Sequence, residues 1–144
     1  MKQFRNLNLP LLLLLFAALC FSSCHKDDNF PKEYIGFKHT RQTIKCSPND
    51  TEMEIKIELI AGSKSSKDRT VQLSIPPTVL GKKSLATLTE KEVTIKAGKK
   101  SVTTIVKVYP SQMELHKQRV AITCIPRQKE SSASKLYLSL EKVK

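Results

Sequence analysis

Residues Glu92–Tyr109 read EVTIKAGKKSVTTIVKVY, and this stretch decides the fold class. Val102, Thr104, Val106 and Val108 recur at every second position, with Ser101, Thr103 and Lys107 between them. Ile105 is the one apolar residue out of phase. Successive side chains of a strand point to opposite faces, so period-two alternation marks a half-buried strand. With Ala97-Gly98 as the break, the stretch predicts a strand, a glycine-containing hairpin and a second strand.

Working outward, the same period recurs. Met53, Ile55, Ile57 and Leu59 alternate with Glu52, Glu54, Lys56 and Glu58. Val71, Leu73 and Ile75 alternate with Thr70, Gln72 and Ser74. Val120, Ile122 and Cys124 keep the pattern, as do Leu136, Leu138 and Leu140. Nothing of helical length shows a 3.6-residue period; Pro110–Gln118, with Met113 and Leu115, comes nearest and predicts one short turn. Turn-forming residues punctuate the runs at Ser47-Pro48-Asn49-Asp50, Ala61-Gly62-Ser63, Pro76-Pro77 and Pro126-Arg127. About seven to eight short strands spaced this way predict an all-β, immunoglobulin-like antiparallel sandwich. Such sheets keep one face in water, which accommodates the charge without a ligand.

The V-T-I-x-A-G-x-x-S pattern of Val93–Ser101 resembles the corresponding segment of Calx-beta-like domains, which occur in Bacteroidetes surface lipoproteins. The resemblance is close over about 20 residues and loose over residues 34–144. It implies the fold. It does not carry a calcium site, because Tyr109–Glu114 supplies a single acid and calcium takes about six to eight oxygen ligands.

The N-terminus gives an address. Met1–Asn8 holds Lys2 and Arg5 and no acid, and Leu9–Phe21 is nearly all apolar. A run of about 13 apolar residues suits a secretory signal rather than a spanning helix, which needs about 20. Ser22 and Ser23 then lead into Cys24. This resembles a bacterial lipobox, with Phe21 where leucine is usual, and implies that Cys24 becomes the acylated first residue of the mature chain. Several acyl chains, at about 0.8 kcal/mol per buried methylene, make a firm anchor. Lys26, Asp27 and Asp28 resemble the export tag of Bacteroidetes surface lipoproteins. The organisation read from this is a signal peptide (1–23), a lipidated tether (24–33) and a β-sandwich domain (34–144), placed on the outer membrane and exposed at the cell surface.

All 13 acids and 23 of the 25 Lys and Arg follow residue 23, so the mature chain carries a net charge of +10. Charge of that size bears on partners rather than fold. Lys82, Lys83, Lys99 and Lys100 lie in loops and form a candidate patch for an anionic glycan or surface protein. Nucleic acid is not expected, given the export signal and few aromatic residues. Of four cysteines, Cys20 lies in the signal and Cys24 is the lipid site, leaving Cys46 and Cys124. They would form a disulfide in an oxidising compartment if near enough, or remain two buried thiols. His25, His39 and His116 have no second ligand at metal spacing, so no metal or cofactor is expected. No phosphate loop, nucleophile elbow or carboxylate pair appears, so the chain is not expected to be an enzyme.

The expectation is therefore a lipid-anchored binding or scaffolding protein, accessory to a larger outer-membrane assembly for glycan uptake or adhesion. Two alternatives remain. A carbohydrate-binding module would show Tyr109 or Tyr137 on a flat exposed face. A structural or pilus-type subunit would use Ser134–Val143 as an exchangeable strand.

Overall fold

The computed structural model describes residues 29–144, which form an all-β sandwich. Nine strands occur: β1 Ile35–Phe37, β2 Arg41–Cys46, β3 Met53–Ala61, β4 Arg69–Ser74, β5 Ala86–Leu88, β6 Glu92–Ile95, β7 Ser101–Val108, β8 Lys117–Pro126 and β9 Ser134–Lys142. One sheet has the order β1-β3-β7-β5 and the other β2-β9-β8-β4-β6. A 3₁₀ turn at Pro110–Gln112 is the short turn expected near Met113. The residues read as signal peptide, lipid site and export tag lie outside the described residues.

The alternating residues meet between the sheets. Ile55, Ile57, Leu59, Val106 and Val108 face Val71, Leu73, Ile122, Leu136, Leu138 and Leu140, all buried. Burying one such aliphatic side chain is worth about 1.5–3 kcal/mol, so this layer is the source of stability. Ile105, out of phase, sits half-buried on the outer face, opposite Lys56 of β3. Lys38–Glu58, Lys107–Glu52 and Lys117–Glu141 ion pairs cover outer surfaces. Exposed pairs of this kind contribute little, roughly 0–1 kcal/mol each.

Three features differ from the expected arrangement. First, β6 and β7 do not pair: β6 pairs with β4 and β7 with β3 and β5, so the expected hairpin is a corner between the two sheets. The Lys99 N–H donates to the Lys96 carbonyl at 3.0 Å, with Gly98 at φ +76° in the third position. That is the type II pattern. Its twist splays flanking strands, whereas hairpins favour the primed turns. Second, β2 runs parallel to β9, from Arg41↔Tyr137 to Cys46↔Lys142, while all other pairings are antiparallel. Third, β9 is paired on both sides, to β2 and β8, so Ser134–Lys142 is not a free edge.

Candidate functional site

Apart from the short connections after β1 (38–40) and β5 (89–91), the loops sort into two ends. At the near end lie the N-terminal segment (29–34), the β3–β4 loop (62–68), the β6–β7 corner (96–100) and the β8–β9 loop (127–133). At the far end lie the β2–β3 loop (47–52), the β4–β5 loop (75–85), the β7–β8 segment (109–116) and the C-terminus. The N-terminal segment is tied into the near end. Ser63 Oγ donates to the Lys32 carbonyl at 3.0 Å, Ser131 Oγ donates to the Glu33 carbonyl at 2.7 Å, and the Gly62 N–H donates to the Tyr34 carbonyl at 2.8 Å. Gly62 is required there, because a Cβ would fall on the Pro31 carbonyl.

This sorting divides the lysine patch. Lys99 and Lys100 precede Ser101 at the start of β7, whereas Lys82 and Lys83 lie beyond Ala86, which pairs with Val108 at its end. Seven residues of strand at ~3.3 Å each put the two pairs roughly 23 Å apart. Lys82 instead pairs with Glu114 at 3.0 Å, joining two far-end loops. The single patch is therefore replaced by a charge difference between the ends. The near-end segments, with Arg69, hold nine Lys and Arg against three acids, whereas the far end holds three against three.

Near-end geometry centres on Arg69, which is buried at the start of β4. Its guanidinium donates to the Ser63 carbonyl at 2.7 Å and the Lys99 carbonyl at 3.0 Å, clamping two loops. Burial lowers its pKa. A cleft of ≈ 430 Å³ beside it is lined by Lys32, Lys64, Ser65, Arg69, Gln128 and Ser131 among others. Arg69 Nε, a donor, and Gln128 Oε1, an acceptor, are buried without a protein hydrogen-bond partner. The Asp68 carboxylate accepts from the Ala97 N–H and from Lys96, which hold its pKa below the ordinary value.

The far end carries the apolar surface. Val79 and Leu80 stand exposed in the β4–β5 loop, and Leu115 is exposed nearby. A groove of ≈ 250 Å³ is lined by Ile75, Pro77, Val79, Lys82, Glu114 and Arg119 among others. A second hollow of ≈ 490 Å³ flanks the same loop, against Leu73, Pro76, Leu88 and Lys91. The loop is longer than the usual connection in a compact domain, and surface loops commonly carry binding. Sequence reasoning passed over Val79-Leu80 because two apolar residues define no period.

The other expected features fall as follows. Cys46 and Cys124 are free and buried, on β2 and β8, which flank β9 on either side, and they sit at its opposite ends. They pair across β9 with Lys142 and Ser134, eight residues apart, or roughly 26 Å at ~3.3 Å per residue, against about 7 Å for a bridge. The disulfide is thus excluded by register, and the two buried thiols remain. Burial pushes the Cys124 thiol up to about 11, opposed by a hydrogen bond from Ser134. Burial, then the charge of Asp50, raises that of Cys46. Only thiolates react, so the chain from residue 24 with Cys24→Ser should show two titratable thiols in denaturant without reductant and none in minutes under native conditions. A count of zero in denaturant would restore the bridge.

Tyr109 follows the end of β7 in one sheet, whereas Tyr137 lies on β9 of the other. Tyr109 bonds Thr87 through its hydroxyl at 2.8 Å, and Arg119 covers the Tyr137 ring at 5.6 Å. They form no common platform. His39 and His116 are exposed, and among the described residues no group of three or more His, Cys, Asp or Glu could hold a metal. Cys24, Lys26, Asp27 and Asp28 lie outside the described residues. Among those described, no helix is long and apolar enough to cross a membrane.

No protein-family model matches the chain, and no curated protein does. Solved structures do resemble it. A candidate carbohydrate-binding protein from Bacteroides ovatus aligns at TM-score 0.64 and 12% identity, over 79% of this chain and 38% of that one. The calcium binding domain CBD12 of CALX1.1 aligns at 0.58 and 11% identity, over 75% and 45%. The PapD-like domain 7 of human CEP192 aligns at 0.55 and 11% identity, over 86% and 96%. The chain thus spans less than half of the first two. At these identities the likeness establishes the fold: an immunoglobulin-like sandwich of the kind Calx-beta and PapD-like domains share.

Proposed function

We propose that this chain is a lipid-anchored surface protein that binds or scaffolds a partner, without catalysis, through the loops of its far end. One observation carries the reading. The N-terminal segment leaves the sandwich at the near end, and the exposed Val79, Leu80 and Leu115 beside the Lys82–Glu114 groove stand at the opposite end. An anchor at Cys24 then holds one end at the membrane and presents the other. Leu9–Cys24 supports the anchor, and Lys26, Asp27 and Asp28 support export to the outer surface. The groove combines apolar walls with three cations, Lys82, Lys83 and Arg119, and one anion, Glu114, which fits a protein or glycan of a larger surface assembly.

A second reading, carbohydrate binding, draws on the similar Bacteroides ovatus structure. The separate placement of Tyr109 and Tyr137 leaves it without a stacking platform, so sugars would have to bind through polar contacts.

The test uses whole cells with a photo-crosslinking residue at position 80 or at the side-facing position 45. The expected result is palmitate labelling, membrane fractionation and adducts at 80 but not 45. Cys24→Ser should abolish all three. Lys26→Ala, Asp27→Ala and Asp28→Ala together should keep the label but shield the domain from added protease. An unlabelled wild type, or equal adducts at 45 and 80, would overturn the reading.

A further inference from the structure

We infer that the near end of the sandwich is a docking face for the anionic headgroups of the membrane that holds the N-terminal anchor. The inference rests on the lipid-anchor reading above and adds how the domain sits on its membrane. Lys32, Lys64, Lys67, Lys99, Lys100 and Lys129 are all exposed on this end, from four separate segments. The acids present are Glu33, Asp68 and Glu130, and Asp68 is already engaged by Lys96. Arg127 is paired with Glu92.

Two further observations choose the occupant. Asn29, the first described residue, sits at this end, five Cα-to-Cα steps along the chain from Cys24. Fully extended they span at most about 17 Å, so an acylated Cys24 keeps the face within about two Debye lengths of the headgroups. The charge is also one-sided. The far-end loop segments carry three basic against three acidic residues, so the excess of positive charge is greater at the near end. Net charge alone would not sort the lysines this way, because solubility is indifferent to which end carries them.

Attraction of this kind amounts to about fivefold in affinity for each basic side chain near an anionic surface. Four of them therefore multiply to at least about a hundredfold. The lysines keep their own water, so the face grips by charge and releases in salt. It does not insert. Held in this way, the sandwich stands upright and its apolar far end is turned away from the bilayer.

The test measures sedimentation of the chain from residue 24 carrying Cys24→Ser, which holds the whole sandwich and no lipid. The probes are phosphatidylcholine vesicles, and the same vesicles with about one-third phosphatidylglycerol. Binding to the second alone is expected, and it should be lost at about 0.5 M salt, where the Debye length falls to about 4 Å. Lys64→Gln, Lys99→Gln, Lys100→Gln and Lys129→Gln together should weaken it at least about a hundredfold. Lys45→Gln, Lys82→Gln, Lys83→Gln and Lys144→Gln, an equal loss of charge elsewhere, should change it by no more than about threefold. No binding, equal losses in the two variants, or full displacement by millimolar inorganic phosphate would overturn the inference, the last by revealing a single-anion site. Because the probe protein has no lipid, this result stands apart from whether Cys24 is acylated.

Discussion

Phe37→Ala should remove about 3–5 kcal/mol of folding stability, seen in urea as a large fall in midpoint with an unchanged slope. The residue is fully buried, at the end of a strand only three residues long. That strand is an edge of the smaller sheet, paired with β3 through Ile35↔Ala61 and Phe37↔Leu59. It also reaches the other sheet. The Phe37 N–H donates to Ser134 Oγ of β9 at 3.3 Å, and its carbonyl accepts from the Tyr34 hydroxyl at 2.5 Å. A ring removed here leaves a void that fixed backbone on both sides cannot close, and cavities cost more where collapse is prevented. Phe37→Leu should cost about 1 kcal/mol, since most of the volume is kept. A loss below about 1 kcal/mol for the alanine variant would mean that β1 contributes little to closing the sandwich.

Arg69→Ala should cost about 2–4 kcal/mol, and Arg69→Lys should recover less than half of it. A buried arginine ordinarily needs an acid, yet among the described residues no carboxylate forms an ion pair with it. Its charge is met instead by two backbone carbonyls, from Ser63 and Lys99. The planar guanidinium reaches both loops at once, which a single ammonium cannot do with the same geometry. Denaturant midpoints give the magnitude. Hydrogen exchange gives the location: amides of residues 62–68 and 96–100 should exchange faster in Arg69→Ala, while those of β8 and β9 should change only with global stability. Uniform acceleration would show that the arginine supports the whole domain rather than its near end.

Much of the core could be read from the residues. Ile55, Ile57 and Leu59, Val120, Ile122 and Cys124, and Leu136, Leu138 and Leu140 are buried as their alternation requires, because a strand has only two faces and one must face oil. β1 and β5 were not legible, since three residues define no period. The sequence predicts a hairpin at the β6–β7 corner because local pattern says which face of a strand is buried but not which sheet the strand joins. Ala97-Gly98 marks a turn in either case. Only the sign of its twist, set by Gly98 in the third position, separates the two outcomes.

The candidate sites were less legible for the same reason. Lys82, Lys83, Lys99 and Lys100 look alike as loop lysines, and their separation is a property of strand length and order. Cys46 and Cys124 share an inward parity that suits a bridge, and only the register on β9 shows them at opposite ends. The near-end cluster gathers from segments between residues 29 and 133, and no window of sequence contains it.

The parallel pairing of β2 with β9 also fixes an order of events during synthesis. Arg41–Cys46 emerges early from the ribosome, but its hydrogen-bonding partner is Ser134–Lys142, almost the last part of the chain to be made. β8 likewise waits for β9 on one side. The larger sheet therefore cannot close until nearly every residue is available, and contacts this distant in sequence form slowly. Until then Ile44 and Cys46 have no core to enter, and the chain stays open and threadable. Under the proposed export, that delay would keep the chain threadable for passage through a membrane; the delay itself is written into the strand order.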